Sequence, residues 1–212
     1  MGKKEIAYDY IKNAILSYDI KPDSPISESA LAEELSMSRS PIREALGKLE
    51  SEGLVVTYPS RGSFATSLTP YDVEEVYELR LLFEKWAFSR SIYNISDAEL
   101  DELQKNFEIA YHDSDWELFH ETDRQLHALI VDRAGRKRLT MFLRSLNQQV
   151  ERIRLVSAKE PGRSQRSYEE HLQIIDCIRR KDIEKGEEVL DKHLRSVADS
   201  AINAAKLQNL EF

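Results

Sequence analysis

One carboxylate and three imidazoles stand where aliphatic side chains are expected. Phe119, Asp123, Leu126, His127, Ile130 and Ala134 share one helical stripe, so Asp123 and His127 lie one turn apart on an apolar face. His171 shares a stripe with Ile174, Ile175 and Ile178, and His193 shares one with Leu190, Leu194 and Val197. Burying these four groups singly would be costly, whereas one divalent cation compensates them together. Three neutral imidazole nitrogens and a carboxylate suit Zn²⁺, with Ni²⁺, Mn²⁺ or another divalent ion as alternatives, at bonds of about 2.0–2.2 Å. Remaining coordination positions could take water or a ligand carboxylate. Each histidine alone reads as an ordinary core or surface residue; the metal reading rests on three inward stripes taken together. Arg80 is a further interruption, on a stripe with Val76, Phe83 and Ala87. It suits either a bidentate grip on an effector carboxylate or a structural ion pair with Glu84 or another helix.

A second constellation lies between Ser36 and Gly53. Ile42, Ala45, Leu46 and Leu49 recur at helical spacing and form a packed back. Arg39 and Arg43, four residues apart, project from one side of the front end. Ser38 or Ser40 is placed to cap that helix, Pro41 is tolerated in its first turn, and Gly53 ends it. Two arginines at the front of a helix with a packed back suit a DNA major groove, although an ordinary surface helix would show the same pattern. The surroundings favour DNA. A helix over residues 4–18 and a short helix opening at Ser27 or Ser29 precede this one, with only about three residues of turn before it. Two β-prone runs follow, Leu54–Tyr58 and Ser63–Thr66, joined through Arg61 and Gly62. Such a hairpin is a wing whose tip offers a cation and a glycine that lets backbone approach phosphate or the minor groove.

After a linker at Leu68-Thr-Pro70, from Tyr71 onward only helical periodicity appears, over residues 71–92, 97–111, 114–134, 137–158, 165–180 and 183–207. Ser96-Asp-Ala-Glu99 is a capping box, Asp182 a cap for the last helix, and 158–167 reads as a loop around Pro161-Gly162. Trp86 and Trp116 read as core or helix-interface aromatics. The expected architecture is mainly α: a winged helix-turn-helix domain over residues 1–68 and an all-helical bundle over 69–212 for binding and dimerisation.

The run Ile26-Ser-Glu-Ser-Ala-Leu-Ala-Glu-Glu-Leu-Ser-Met-Ser-Arg-Ser-Pro-Ile-Arg-Glu-Ala-Leu-Gly-Lys-Leu-Glu-Ser-Glu-Gly-Leu-Val, with the wing Pro59-Ser-Arg-Gly-Ser-Phe, resembles the GntR family of bacterial transcription regulators. The resemblance implies that Arg39 and Arg43 read bases or phosphates and that the wing glycine approaches the minor groove. Ser29 departs from it, because many members carry an arginine there. The rest of the chain resembles the FCD effector domain of FadR-type members, through Val76-Tyr-Glu-Leu-Arg-Leu-Leu-Phe-Glu84, Asp123-x-x-x-His127, Glu170-His171 and His193-Leu194. It implies that Asp123, His127, His171 and His193 hold a metal ion.

Charge qualifies the DNA reading. The whole chain carries −8, and residues 1–68 hold 8 Lys and Arg against 10 Asp and Glu. Bulk positive charge therefore cannot supply DNA affinity, which must come from a few placed cations duplicated in a homodimer. One cysteine, Cys177, excludes an internal disulfide and a thiolate cluster. No apolar run spans a bilayer and the N-terminus lacks a signal-type apolar stretch, so a cytoplasmic site without membrane contact is expected. The composite expectation is a transcription regulator, in this family usually a repressor, acting on a two-fold DNA operator under a small organic-acid effector. A metal-dependent hydrolase with an accessory winged domain is the alternative, as is a direct metal sensor. Four protein ligands without an evident extra general base weigh against catalysis.

Overall fold

The computed structural model describes residues 2–208, so the domain limits expected at Met1 and Phe212 fall outside the described residues. The chain forms two compact units: residues 1–69 together with 145–155, and residues 70–144 together with 156–212.

In the first unit, α1 (Lys3–Ser17) is followed by a two-residue strand β1 (Pro25–Ile26), α2 (Glu28–Glu34) and α3 (Arg39–Ser51). The hairpin strands are β2 (Val55–Tyr58) and β3 (Gly62–Ala65). The antiparallel sheet has the order β1-β3-β2, with Val56 opposite Phe64 and Ile26 opposite Ser63. The turn after Asp19 thus contains a strand that its breakers concealed in the sequence. Ala7, Ile11 and Ile15 from α1 meet Ile42, Ala45, Leu46 and Leu49 from α3 in one core. Both turns around α3 are set by backbone bonds. The α2–α3 turn places Ser36 in the left-handed region, with Met37 N–H donating to the Ala32 carbonyl and Ser36 N–H to Glu33. Gly53, at φ 75°, repeats the arrangement after α3 through Leu54 N–H to Leu49 O and its own N–H to Glu50 O. Ser38 occupies the N-cap position of α3, but its hydroxyl makes no capping bond, and the Ser40 hydroxyl instead lies 3.5 Å from Glu44 Oε1. Capping by either serine side chain is therefore corrected.

This unit also takes in residues 145–155. The Arg152 guanidinium donates to Thr66 Oγ1 and the Ser67 carbonyl, Lys12 pairs with Glu151 at 3.1 Å, and a side chain at Gly53 would press on Gln149. The helix expected over 137–158 is accordingly two: α7 (Lys137–Ser145) and α8 (Asn147–Ser157). No Pro or Gly causes the break; it falls where the chain passes from one packing unit to the other.

The second unit is all helical: α4 (Pro70–Ser91), α5 (Asp97–His112), α6 (Trp116–Arg133), α7, α9 (Arg163–Arg180) and α10 (Ile183–Gln208). Helix α4 packs on α6 and α10, and α5 packs on α6 and α9. The Ser96–Glu99 capping box forms, and Asp182 Oδ1 accepts from Lys185 N–H. Helix α9 begins earlier than expected, with Gly162 at φ 75° before it, and Arg163 in its first turn is buried through an ion pair with Glu170. Trp86 and Trp116 are 38% and 42% exposed, not core. Trp86 is covered from outside by Arg90, 3.9 Å above its ring.

Candidate metal centre and nucleic-acid interface

Helix α6 presents Asp123 and His127, α9 presents His171 and α10 presents His193, all buried. One ligand atom from each lies within 4.8 Å of all the others. His171 Nε2 is 2.8 Å and His127 Nε2 3.6 Å from Asp123 Oδ1, and the Nε2 atoms of His127 and His193 are 3.3 Å apart. Donors held about 2.1 Å from one ion stand roughly 3.0 Å apart in an octahedron and roughly 3.4 Å in a tetrahedron. The set is ion-sized.

The protonation pattern also fits a cation. His127 Nδ1 donates to Glu84 Oε2 at 2.6 Å, and His193 Nδ1 donates to Glu170 Oε2 at 2.8 Å. An ionised carboxylate only accepts, so each ring carries a proton on Nδ1 and turns Nε2 toward the other ligands. With Nδ1 of each ring given to a carboxylate, both Nε2 atoms turn toward the same point, where a shared cation can take them. Burial, with His171 and His127 adding to it, pushes His193 well below its ordinary 6.5, so its ring stays neutral. Burial also works to raise Glu84, but Arg80 and then His127 outweigh it and hold that carboxyl at about 2. His171 is oriented by packing, with its ring stacked on Phe107 at a centroid distance of 4.5 Å.

Arg80 is 2% exposed, and its Nε donates to Glu84 Oε1 at 2.6 Å. Burial lowers its pKa, but Glu84 more than reverses this, so the guanidinium is charged. The structural ion pair therefore exists, and it leaves Nη1 buried without a hydrogen-bond partner among the described residues. Three further residues complete the surroundings: Glu84 and Glu170 as imidazole acceptors, and Arg163, which donates to Glu170 Oε2 at 2.8 Å. Glu84 had a visible signal, one turn after Arg80. Arg163 had none, because it fell in the stretch read as loop.

In the other unit, Ser38, Arg39, Ser40 and Arg43 are all exposed along the start of α3. Arg43 Nε donates to Glu28 Oε2 at 2.7 Å while 65% of its side chain remains open to solvent. At the wing tip Arg61 N–H donates to the Tyr58 carbonyl, with Pro59 second in the turn and Ser60 third at φ 63°. The Arg61 guanidinium stands 5.6 Å from the ring centres of Tyr58 and Phe64, which hold it at the hairpin end. Gly62 has φ 92°, and a Cβ there would meet none of the described residues beyond its chain neighbours within 4 Å, so the glycine serves the turn and leaves the tip open.

Residues 3–64 match the family described as bacterial regulatory proteins of the gntR family, and residues 75–196 match the FCD domain. The chain is 30% identical over 191 residues to an uncharacterized helix-turn-helix transcriptional regulator, YdhC of Bacillus subtilis, covering 88% of this chain and 85% of that one. It is 25% identical over 196 residues to the transcriptional repressor RspR of Escherichia coli, covering 91% and 86%. Among solved structures, E. coli McbR/YncC superposes with a TM-score of 0.72 at 21% identity, covering 99% of each chain.

Proposed function

The chain belongs to the GntR family of bacterial regulatory proteins and carries an FCD domain, and from that premise we propose that it is a repressor whose hold on DNA answers to a small carboxylate bound at a metal site. That it is a DNA-binding transcription regulator, and not an enzyme, follows from the family. The finer reading rests on one observation: Asp123, His127, His171 and His193 bring their ligand atoms within 4.8 Å of one another, inside a buried site.

A divalent ion there would supply a Lewis acid to which an effector carboxylate can bind. Zinc suits the donor set, with nickel or manganese as alternatives. Glu84 and Glu170 fix the rings of His127 and His193 by accepting from Nδ1, and Arg80 supplies a buried positive charge for the effector's carboxylate. On the DNA side, Arg39 and Arg43 enter the major groove with Ser38 and Ser40 at the backbone, while Arg61 and Gly62 reach its edge. A homodimer presents two such heads to a two-fold operator, which offsets the acidic charge of the chain. Effector control requires that the acid bind the DNA-competent and DNA-incompetent arrangements with different affinity. The chain passes between the units at residues 69–70, 144–145 and 155–156, and these are the covalent routes between them. No helix among the described residues is long and apolar enough to cross a membrane, and a cytoplasmic site accords with the proposed role.

Arg43→Ala tests the reading head. A bidentate arginine–guanine contact discriminates by about 1–3 kcal/mol per site. Mobility shift with operator DNA should therefore show at least a roughly tenfold loss of affinity, doubled in logarithm for a dimer, with an unchanged far-UV spectrum. Unaltered operator binding would remove α3 as the reading helix.

A further inference from the structure

Two arginines, not one, lie buried behind the metal ligands. Arg80 on α4 and Arg163 in the first turn of α9 are 2% and 1% exposed. Each holds a glutamate that orients a ligand imidazole, along the paths Arg80–Glu84–His127 and Arg163–Glu170–His193. The two paths meet where the Nε2 atoms of His127 and His193 stand 3.3 Å apart.

Neither guanidinium is used up by its glutamate. Arg80 spends Nε and leaves Nη1, while Arg163 spends Nη2 and leaves both Nε and Nη1, all buried and without a hydrogen-bond partner among the described residues. A guanidinium that positions a carboxylate frequently engages it through both arms of its fork, and neither of these does. Buried charged donors left unmade are costly, so the spare N–H groups call for a further acceptor, which a bound anion would supply. Charge points the same way. Asp123, Glu84 and Glu170 exceed Arg80 and Arg163 by one negative charge, and a divalent ion among neutral imidazoles turns that into one positive charge. A buried site with net positive charge and donors on two arms suits an anion with more than one acidic group.

We propose that Arg163 is an effector-binding residue and that the effector is a dicarboxylic acid, one carboxylate directed to the metal and Arg80 and the other to Arg163. This rests on the reading that the helical unit binds a carboxylate at its metal. Arg163 then sets chain length and selects against monoacids, because a monoacid leaves its spare donors unmade.

The test uses the full chain loaded with Zn²⁺ and isothermal titration with malonate, succinate and glutarate, each beside the monoacid of equal length: propionate, butyrate and pentanoate. At least one diacid should bind tenfold or more tightly than its monoacid. With zinc supplied in excess, Arg163→Gln should cost each diacid at least tenfold more affinity than it costs the monoacid of equal length; Arg163→Lys, which keeps the charge, should retain part of the preference. Equal binding of diacids and monoacids by the unsubstituted protein overturns the proposal without any variant having to fold. A variant that loses zinc, and with it all acids equally, also overturns it, because Arg163 would then only position His193 through Glu170. If zinc binds and no acid of either kind does, the carboxylate-effector reading itself fails, and this proposal with it.

Discussion

Each unit contains an arginine–glutamate pair of nearly the same length, Arg43–Glu28 at 2.7 Å and Arg80–Glu84 at 2.6 Å. Their surroundings separate them. The first pair has side chains 65% and 31% exposed, the second 3% and 4%. An exposed pair is worth at most about 1 kcal/mol and is screened by salt, so Arg43 can leave Glu28 for a phosphate or a base at little cost. A buried pair cannot open without stranding a charge, and Glu84 is further committed through its other oxygen to His127. Contact distance alone therefore does not tell a switchable contact from a fixed one. Burial and the number of partners do, and they separate a helix-turn-helix unit whose arginine is able to exchange partners from a helical unit whose arginine is held.

The sharpest way to break this comparison is Glu84→Ala. It leaves Arg80 charged and buried without its carboxylate and removes the acceptor that fixes the His127 tautomer. The expected cost is about 3–5 kcal/mol of stability, read by chemical denaturation in chelator. Zinc affinity should fall by about 10–100-fold in competition titrations, because outer-sphere acceptors tune the ligand they hold. A loss below about 1 kcal/mol would mean that the buried pair behaves like the surface one, and the contrast would collapse.

How far the sequence exposed this division depends on the range of the interactions involved. The helix-turn-helix unit is written in local spacing: the stripe from Ile42 to Leu49, the left-handed Gly53 and the Arg-Gly wing all act within a few residues. The four ligand candidates were visible because a polar residue on an apolar stripe is a local anomaly. Their partners were not, for physical reasons. Glu170 is next to His171 in the chain, yet its bonded imidazole is His193, 23 positions away, a pairing that only tertiary packing creates. Arg163 was hidden by a helix boundary: with the start drawn at 165 it belonged to a loop, and its burial had no local sign. The break between α7 and α8 is likewise long-range, since Arg152 reaches Thr66 and Ser67 across 86 and 85 positions. The missing caps at Ser38 and Ser40 show the converse: a favourable residue type at a helix start does not oblige its hydroxyl to turn inward.

Two helical glycines sharpen the same contrast in apolar terms. Gly186 in α10 lies against the ring of Phe88, and a Cβ there would overlap that ring and approach Cys177 Cβ at 3.2 Å. Gly47 in α3 is exposed, and beyond its own helix backbone none of the described residues comes within 4 Å of where a Cβ would stand. Alanine gains up to about 1 kcal/mol over glycine in a helix interior, whereas overpacking a core costs typically 1–3 kcal/mol. Thermal unfolding should therefore show Gly186→Ala destabilised and Gly47→Ala stabilised by up to about 1 kcal/mol. Equal signs at the two sites would show that the α4–α10 contact yields as readily as a surface.

The smallest effect is expected at Glu28→Ala. Its charge sits in the first turn of α2, where it favours the helix N-terminus, and it is the partner of Arg43. Both contributions are exposed and screened, so stability should drop by less than about 1 kcal/mol and the drop should shrink further at high salt. Operator affinity should move the other way. With no carboxylate competing for Arg43 and one fewer negative charge near the DNA phosphates, binding at fixed ionic strength should tighten by a few-fold. Glu28→Gln, which keeps the side-chain length, should reproduce the gain. Weaker binding by both variants would show that Glu28 holds Arg43 in its reading position, making the exposed pair a fixed element after all.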